Sequence, residues 1–184
     1  MLLALKNWLS ANESEPADPL YEFKLSGDNK YLELAIDKYN HDLYHFLLTQ
    51  SDSELAKDIC QKTWLTVVEK RQAYHTSQAP KAFLFKLARN ALIDELRKQN
   101  RLAYMEHPEQ QLSVPTERTV RSHQSLYDAI LLLPLQQREA ISLQLEGFSL
   151  QQIASITDAP QETIKTRLRY ARTALKHALG DDDE

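Results

Sequence analysis

The sequence predicts an all-α protein with two small helical domains joined by a flexible linker. Apolar residues recur at helical spacing in two long stretches, and no stretch shows the alternation of a β-strand. The 184 residues include only 3 Gly and 7 Pro, too few for the many tight turns of a β-sandwich or barrel. Residues 102–125 are rich in Pro, Gln and Ser and show little periodicity, which indicates the linker.

Changes in composition divide the chain into five segments. They are an N-terminal extension at 1–27, a helical domain at 28–101, the linker at 102–125, a second helical domain at 126–179 and an acidic tail at 180–184. We expect the extension to be poorly ordered or only locally helical. The formal net charge of −4 comes from the extension, the linker and the tail, since both domains are mildly positive. The acidic balance of the whole chain therefore does not exclude a nucleic-acid partner.

Three helical stretches are predicted in the first domain. Apolar residues at helical spacing run from Leu32 to Leu43 and again from Leu55 to Val68, with a turn and cap signal at 51–53. The segment 71–80 has no period and ends in Pro, so we predict a loop. The strongest helix, 81–101, separates a broad apolar face from a basic polar face.

A helix-turn-helix is predicted at Leu150–Arg169 in the second domain. Ala154 is small enough for two helices to approach, Asp158 tolerates a left-handed backbone and Pro160 suits the start of the next helix. The apolar stripe of that helix is formed by Ile164, Leu168, Ala171 and Leu175. Its opposite face is polar and basic, which favours DNA binding over an amphipathic helix that merely faces water.

Other classes of protein find little support. A single Cys excludes a disulfide framework and a multi-Cys metal site, and no apolar run is long enough for a membrane span or a signal peptide. We therefore expect a cytoplasmic protein without cofactors that is not an enzyme. His41 and His45 have the spacing of a zinc-protease motif, but Asp replaces its Glu and no third ligand follows.

Both domains together resemble the extracytoplasmic-function (ECF) sigma factors, the two-domain sigma subunits of bacterial RNA polymerase. Ala56–Trp64 (AKDICQKTW) is similar to the core-binding helix of their region 2. Ala82–Arg101 (AFLFKLARNALIDELRKQNR) resembles the helix that melts and recognises the −10 element. Leu133–Leu175 resembles region 4, including the Leu133-Pro134 pair and the bend at 146–149.

The resemblance implies a transcription initiation factor with two DNA-reading surfaces. Region 2 would capture flipped −10 bases with residues of the 71–80 loop and the helix after it, namely Tyr74, His75, Asn90, Asp94, Arg97 and Arg101. Region 4 would read the −35 element in the major groove with Glu162, Lys165, Thr166, Arg167, Arg169 and Arg172. Glu162 stands where the family commonly has Gly, and a carboxylate there can accept a hydrogen bond from cytosine.

Core polymerase is the second implied partner, through its β′ clamp helices and β flap. The residues implied at the clamp are Asp58, Gln61, Lys62 and Trp64. Leu55, Lys57 and Lys62 stand where this family commonly has acids, a pattern of a kinase-linked subgroup with a non-acidic core-binding helix. We therefore hypothesise that a Ser/Thr kinase activates the protein by phosphorylating Thr63, next to Lys62; the alternative is that Thr63 is structural.

Two alternatives for partners and function stay open at this point. An anti-sigma factor, instead of a kinase, would control the protein by binding it. A helix-turn-helix regulator that binds DNA without joining the polymerase would share the features of the second domain.

Overall fold

The computed structural model describes residues 18–75, 79–106 and 126–179, with the backbone alone over 100–106. These residues form eight α-helices and one short 3₁₀ turn, Arg71–Ala73. The helices are α1 (Pro19–Ser26), α2 (Asn29–Gln50), α3 (Ser53–Glu69), α4 (Pro80–Glu106), α5 (Leu126–Leu131), α6 (Leu135–Leu145), α7 (Leu150–Thr157) and α8 (Gln161–Leu179). No strand occurs in these ranges, so the predicted all-α class is confirmed.

Helices α1 to α4 form the N-terminal unit (18–106). Aspartates cap the starts of α2 and α3: the carboxylate of Asp28 accepts from the amide of Lys30, and that of Asp52 accepts from the amide of Leu55. Helix α3 packs on α2 and α4, and its inward face buries Ala56, Ile59 and Val67. The opposite face of α3 is left to solvent.

The N-terminal unit begins before residue 28, the predicted boundary of the first domain, because it includes α1. Leu20 and Phe23 are buried in a cluster with Tyr39, Trp64 and Leu84, so α1 belongs to the N-terminal unit. Proline at the first helical position and the cap of Asp18 on the amide of Tyr21 start the helix. The sequence did not predict this short helix, because two buried apolar positions do not establish a helical period.

Helices α5 to α8 form the C-terminal unit (126–179), which contains the predicted helix-turn-helix. Ser149 begins α7 with a capping box, exchanging hydrogen bonds with Gln152. The turn passes through Asp158 in the left-handed region, at φ 50°, as predicted. The predicted stripe of α8, from Ile164 to Leu175, is buried against α6 and α7.

The two units share one hydrophobic core, which the prediction of two linked domains did not anticipate. The ring of Phe85 on α4 lies between Phe46 of α2 and Phe148 of the C-terminal unit, with ring centroids 5.2 Å and 4.9 Å apart. All three rings are buried in a cluster that continues into both units. Contacts run from α4 to α7 and from α2 to α6.

Polar groups complete this contact between the units. The Nε of Arg89 donates to Oε1 of Glu139 at 2.8 Å, and both side chains are almost buried. The ammonium of Lys81 bridges Asp42 of α2 and Glu146 of the C-terminal unit, at 2.7 Å and 3.0 Å. Burial alone would lower the pKa of Lys81, but the hydrogen bonds to these two carboxylates outweigh burial and raise it.

The assignment of α1 to the core leads to a test with a matched pair of leucines. Leu20 is 2% exposed and Leu25, on the same helix, is 61% exposed. Leu20→Ala should lower the free energy of unfolding by about 2–5 kcal/mol, because it leaves a cavity. Leu25→Ala should change it by less than about 0.5 kcal/mol. Chemical denaturation measures both changes in the free energy of unfolding. Equally small changes for the two variants would show that α1 is not part of the folded core.

Candidate nucleic-acid and protein interfaces

Helix α8 presents the polar face that the sequence predicts for a recognition helix. Its buried stripe fixes the rotation of the helix, so the residues on the opposite side point to solvent. Five of the six predicted −35 residues are exposed and Arg167 is half-buried; the exposed five are Glu162, Lys165, Thr166, Arg169 and Arg172. The structure therefore brings this predicted set together on one surface.

The charges on this face are partly paired with one another. The ammonium of Lys165 lies 2.6 Å from Oε1 of Glu162, so the one carboxylate of the face is compensated from within the helix. Arg172 donates to the side chain of Gln144 at 2.8 Å, which ties α8 to α6. The guanidinium of Arg169 lies 5.2 Å from the ring centre of Tyr170 and stays exposed to solvent. Arg169 thus combines an exposed charge with a side chain held in place.

A second polar surface runs along α4. Asn90, Asp94 and Arg97 are exposed on one side of the helix, and Arg97 lies 3.7 Å from Asp94. Phe85 and Leu92 bury the other side in the core. The side chain of Arg101, the last residue predicted for this surface, lies outside the described residues.

Tyr74, one of the residues predicted to capture a flipped base, is buried in this structure. The ring of Tyr74 is 3% exposed and packs against Phe83, with centroids 5.0 Å apart. Its hydroxyl donates to Asp18, and its carbonyl accepts from the ammonium of Lys24. Burial, and after it the hydrogen bond to Asp18, raise the pKa of Tyr74 above the usual range of a phenol. The tyrosine therefore anchors the loop to α1, while His75 beside it is exposed.

The outward face of α3 carries an apolar groove. Ile36 and Tyr44 of α2 form one side of it, and Trp64, Leu65 and Val68 of α3 form the other. Leu65 is 60% exposed, although it lies in the middle of a folded helix. Asp58, Gln61 and Lys62 are exposed on the same helix. Trp64 is largely buried, and its indole donates to Asn40 at 2.8 Å.

Lys57 and Lys62 of α3 both have acidic partners. Lys62 lies 2.7 Å from Asp58 and 3.4 Å from Glu95 of α4, and its pKa is raised, first of all by the hydrogen bond to Asp58. Lys57 lies 3.8 Å from Glu54. These pairs leave the groove close to neutral, neither acidic nor basic. They are exposed and add little to stability.

Thr63, the predicted phosphorylation site, is buried in this structure. Its side chain is 1% exposed, and its hydroxyl donates to the carbonyl of Ile59 at 2.7 Å. A kinase can reach this hydroxyl only after α3 opens locally from its neighbours. Cys60, one turn earlier, is also buried, and burial raises the pKa of its thiol to about 11. The thiol is therefore a packing group with little thiolate character at neutral pH.

The described ranges contain no group of three or more His, Cys, Asp or Glu residues placed to hold a metal ion. His41 and His45 stack with ring centroids 4.3 Å apart. Among the described helices, none combines the length and the apolar character that crossing a bilayer requires.

Three basic residues of α4 were not predicted to take part in any contact between domains. Lys81, Lys86 and Arg89 each meet a carboxylate of the C-terminal unit. The basic character of the helix was visible in the sequence. Their partners lie 50 to 72 residues further along the chain, so no local pattern could identify them.

Comparisons with known proteins give the class of this chain. The model of sigma-70 region 2 matches residues 35–102, and that of sigma-70 region 4 matches residues 123–175. The ECF RNA polymerase sigma factor SigM of Bacillus subtilis is 30% identical over 157 residues, which cover 79% of this chain and 94% of the relative. SigC of Mycobacterium tuberculosis, also an ECF sigma factor, is 27% identical over 95% of this chain and 97% of its own length.

Solved structures agree with this classification. The sigma factor RpoE, in complex with the anti-sigma factor NepR from Bartonella quintana, has a TM-score of 0.67 and 28% identity, covering 84% of this chain and 98% of that one. CnrH, in complex with the cytosolic domain of CnrY, shares the fold with a TM-score of 0.65 at 18% identity. The chain belongs to the ECF sigma factors of RNA polymerase.

The exposed charge of Arg169 leads to a test on the C-terminal unit. Arg169→Ala should weaken binding to generic duplex DNA and lower the slope of log affinity against log salt by about 1, because one phosphate contact is lost. Fluorescence anisotropy over a series of salt concentrations measures both quantities. Lys38→Ala is the control, since it removes an exposed basic residue of α2 that lies on neither DNA surface. Identical slopes for the two variants would remove Arg169 from the DNA contact.

Proposed function

We propose that this sigma factor directs core RNA polymerase to promoters through three surfaces. Its α3 groove binds the β′ clamp helices, its α4 face captures and melts the −10 element, and α8 reads the −35 element, with the β flap as a further contact. The observation that carries the proposal is the pair of exposed polar faces on α4 and α8, each fixed by a buried apolar stripe. Two separate surfaces are required, because single-stranded bases and the major groove of a duplex are bound in different ways.

The α4 surface has the chemistry for the nontemplate strand without Tyr74. Asn90 offers both a donor and an acceptor to a base edge, and Arg97 offers a charge to the backbone. His75 is exposed at the end of the loop that Tyr74 anchors, so it is the aromatic group available for stacking. We assign Tyr74 the task of holding this loop against α1.

Transcription in vitro distinguishes this function from that of a regulator acting alone. Core polymerase from the source organism, with and without the protein, transcribes fragmented genomic DNA, and the 5′ ends of the transcripts are mapped. We expect discrete start sites that require the protein and follow a common two-part sequence. A protein that binds duplex DNA tightly by itself and adds no start sites would instead be a regulator that does not join the polymerase.

Control of the α3 surface is the second part of the proposal. Because Lys57 and Lys62 compensate the acids of α3, we infer weak docking on a basic clamp until negative charge is added. Phosphorylation of Thr63 adds about −1.5 to −2 charges, and a site that is 1% exposed cannot hold a phosphate, so the modified helix must also shift. An anti-sigma factor that covers the groove is the alternative form of control, supported by the complex of the RpoE relative with NepR.

Thr66 offers a matched control for this hypothesis. Like Thr63, it donates its hydroxyl to the carbonyl four residues earlier, at 2.8 Å, but it is not buried. Thr63→Glu should raise the affinity for core polymerase above that of Thr63→Val, which keeps the shape of the side chain. It should also lower the melting temperature, because a charged carboxylate is unfavourable at this buried position. Thr66→Glu should change both quantities much less.

Affinity is measured by titration of labelled protein with core polymerase, and helix content by circular dichroism. If Thr63→Glu remains helical and binds core polymerase no better than Thr63→Val, charge at position 63 has no part in docking. If Thr66→Glu raises the affinity equally, the effect belongs to the charge of α3 as a whole and not to Thr63.

A further inference from the structure

Two exposed histidines lie one helical turn apart on α2, and the proposed function uses neither of them. The ring centroids of His41 and His45 are 4.3 Å apart, and the ring planes are tilted by 59°. Within the parts of the chain that the structure describes, neither imidazole takes part in a hydrogen bond or an ion pair. Each ring therefore has a nitrogen lone pair that is open to a ligand from solvent.

A pair of imidazoles with this spacing is typical of a chelate for a divalent transition metal. Neutral imidazole is the commonest metal ligand among protein side chains. Side chains at i and i+4 lie one above the other on a helix, so both rings can turn a nitrogen toward the same ion. Zinc sites with the H-E-x-x-H motif use this same spacing for their two histidines. Mg²⁺ and Ca²⁺ are not suited to such a pair, because they prefer oxygen ligands.

The hydrophobic core fixes this turn of α2 before any ion binds. Leu43 lies between the two histidines in the chain and is 0% exposed, and Phe46 and Leu47 directly after them are equally buried. Their burial sets the rotation of α2 and turns positions 41 and 45 toward solvent. Because folding already holds the two ligands together, binding an ion does not have to order the backbone.

Carboxylates near the pair do not complete a site with three protein ligands. Asp42 lies between the histidines in the chain, but its carboxylate is held by the ammonium of Lys81 at 2.7 Å. Asp37 is exposed one turn before His41 and two turns before His45, so it does not lie beside both rings. This agrees with the absence of any cluster of three metal-binding side chains from the described ranges. The coordination positions that the histidines leave open are therefore filled by water.

We propose that His41 and His45 form a bidentate site for one first-row divalent transition-metal ion. Cu²⁺ binds most tightly, because the order of affinities at a nitrogen site places it above both Ni²⁺ and Zn²⁺. The site lies outside the three surfaces of the proposed function and does not depend on them. It borders one of them, since the ring of His45 is 6.2 Å from that of Tyr44, which lines the groove of α3. A bound ion thus adds positive charge beside this groove.

Two relocated pairs of histidines test the site. Asp37→His with His45→Gln moves the pair one turn earlier, to positions 37 and 41, and should bind Cu²⁺ as the unmodified protein does. Glu33→His with His45→Gln places the two histidines about 12 Å apart along the helix axis and should bind no better than a single histidine. Both variants keep the number of histidines and remove one exposed acid of α2. His45→Gln alone is the reference with one histidine.

Isothermal titration calorimetry of the full, untagged chain with CuCl₂, NiCl₂ and ZnCl₂ measures affinity and stoichiometry. We expect the tightest Cu²⁺ site to hold one ion per chain, and His45→Gln to weaken it at least about tenfold, because a chelate is reduced to a single ligand. Electron paramagnetic resonance of the Cu²⁺ complex should show two coordinated imidazole nitrogens in the unmodified protein and in the variant with Asp37→His. The variant with Glu33→His should show one.

Thermal unfolding tests whether the ion binds the folded helix. Only the helical turn brings the two imidazoles together, so Ni²⁺ at about 100 times its dissociation constant should raise the melting temperature by about 5 °C. The rise should be much smaller for His45→Gln. Equal Cu²⁺ affinities of the unmodified protein and His45→Gln would overturn the inference, and so would equal affinities of the two relocated pairs.

Discussion

The packing of Phe85 between Phe46 and Phe148 is the contact on which the rest of the structure depends. Phe85 belongs to α4, and its burial turns the opposite side of that helix, with Asn90 and Arg97, toward solvent. The same ring joins the core of the N-terminal unit to that of the C-terminal unit. A single helix therefore supports the fold, carries the surface proposed to bind DNA and connects the two halves of the chain.

Ion pairs add to this apolar packing at two places, the groove of α3 and the contact of α4 with the C-terminal unit. At the groove of α3, Lys62 is compensated by Asp58 and Glu95, so the surface depends on apolar contact more than on charge. Along α4, basic side chains are compensated by acids of the other unit. In both places, basic side chains that stand out in the sequence are paired with acids in this structure.

Local patterns in the sequence were sufficient to predict most of the helices and which residues of α8 face solvent. The rotation of α8 follows from the spacing of Ile164 and Leu168, and the turn before it follows from Asp158. Local patterns did not show that two predicted site residues, Tyr74 and Thr63, are buried. Tyr74 resembled a base-stacking group in a loop, yet α1 covers it through Asp18, 56 residues away. Thr63 adjoins an exposed lysine in sequence, but a one-residue step of about 100° turns it into the core.

Hydrogen–deuterium exchange on the free protein and on its complex with core RNA polymerase tests most directly whether the shared core is a closed state that opens on assembly. We expect amides of α3 to gain protection as the groove is covered. We also expect amides of α4 and α6 around Phe85 and Glu139 to lose protection as the units separate. Protection gained at α3 with no loss around Phe85 and Glu139 would contradict this expectation, because the contact between the units would then persist in the working complex.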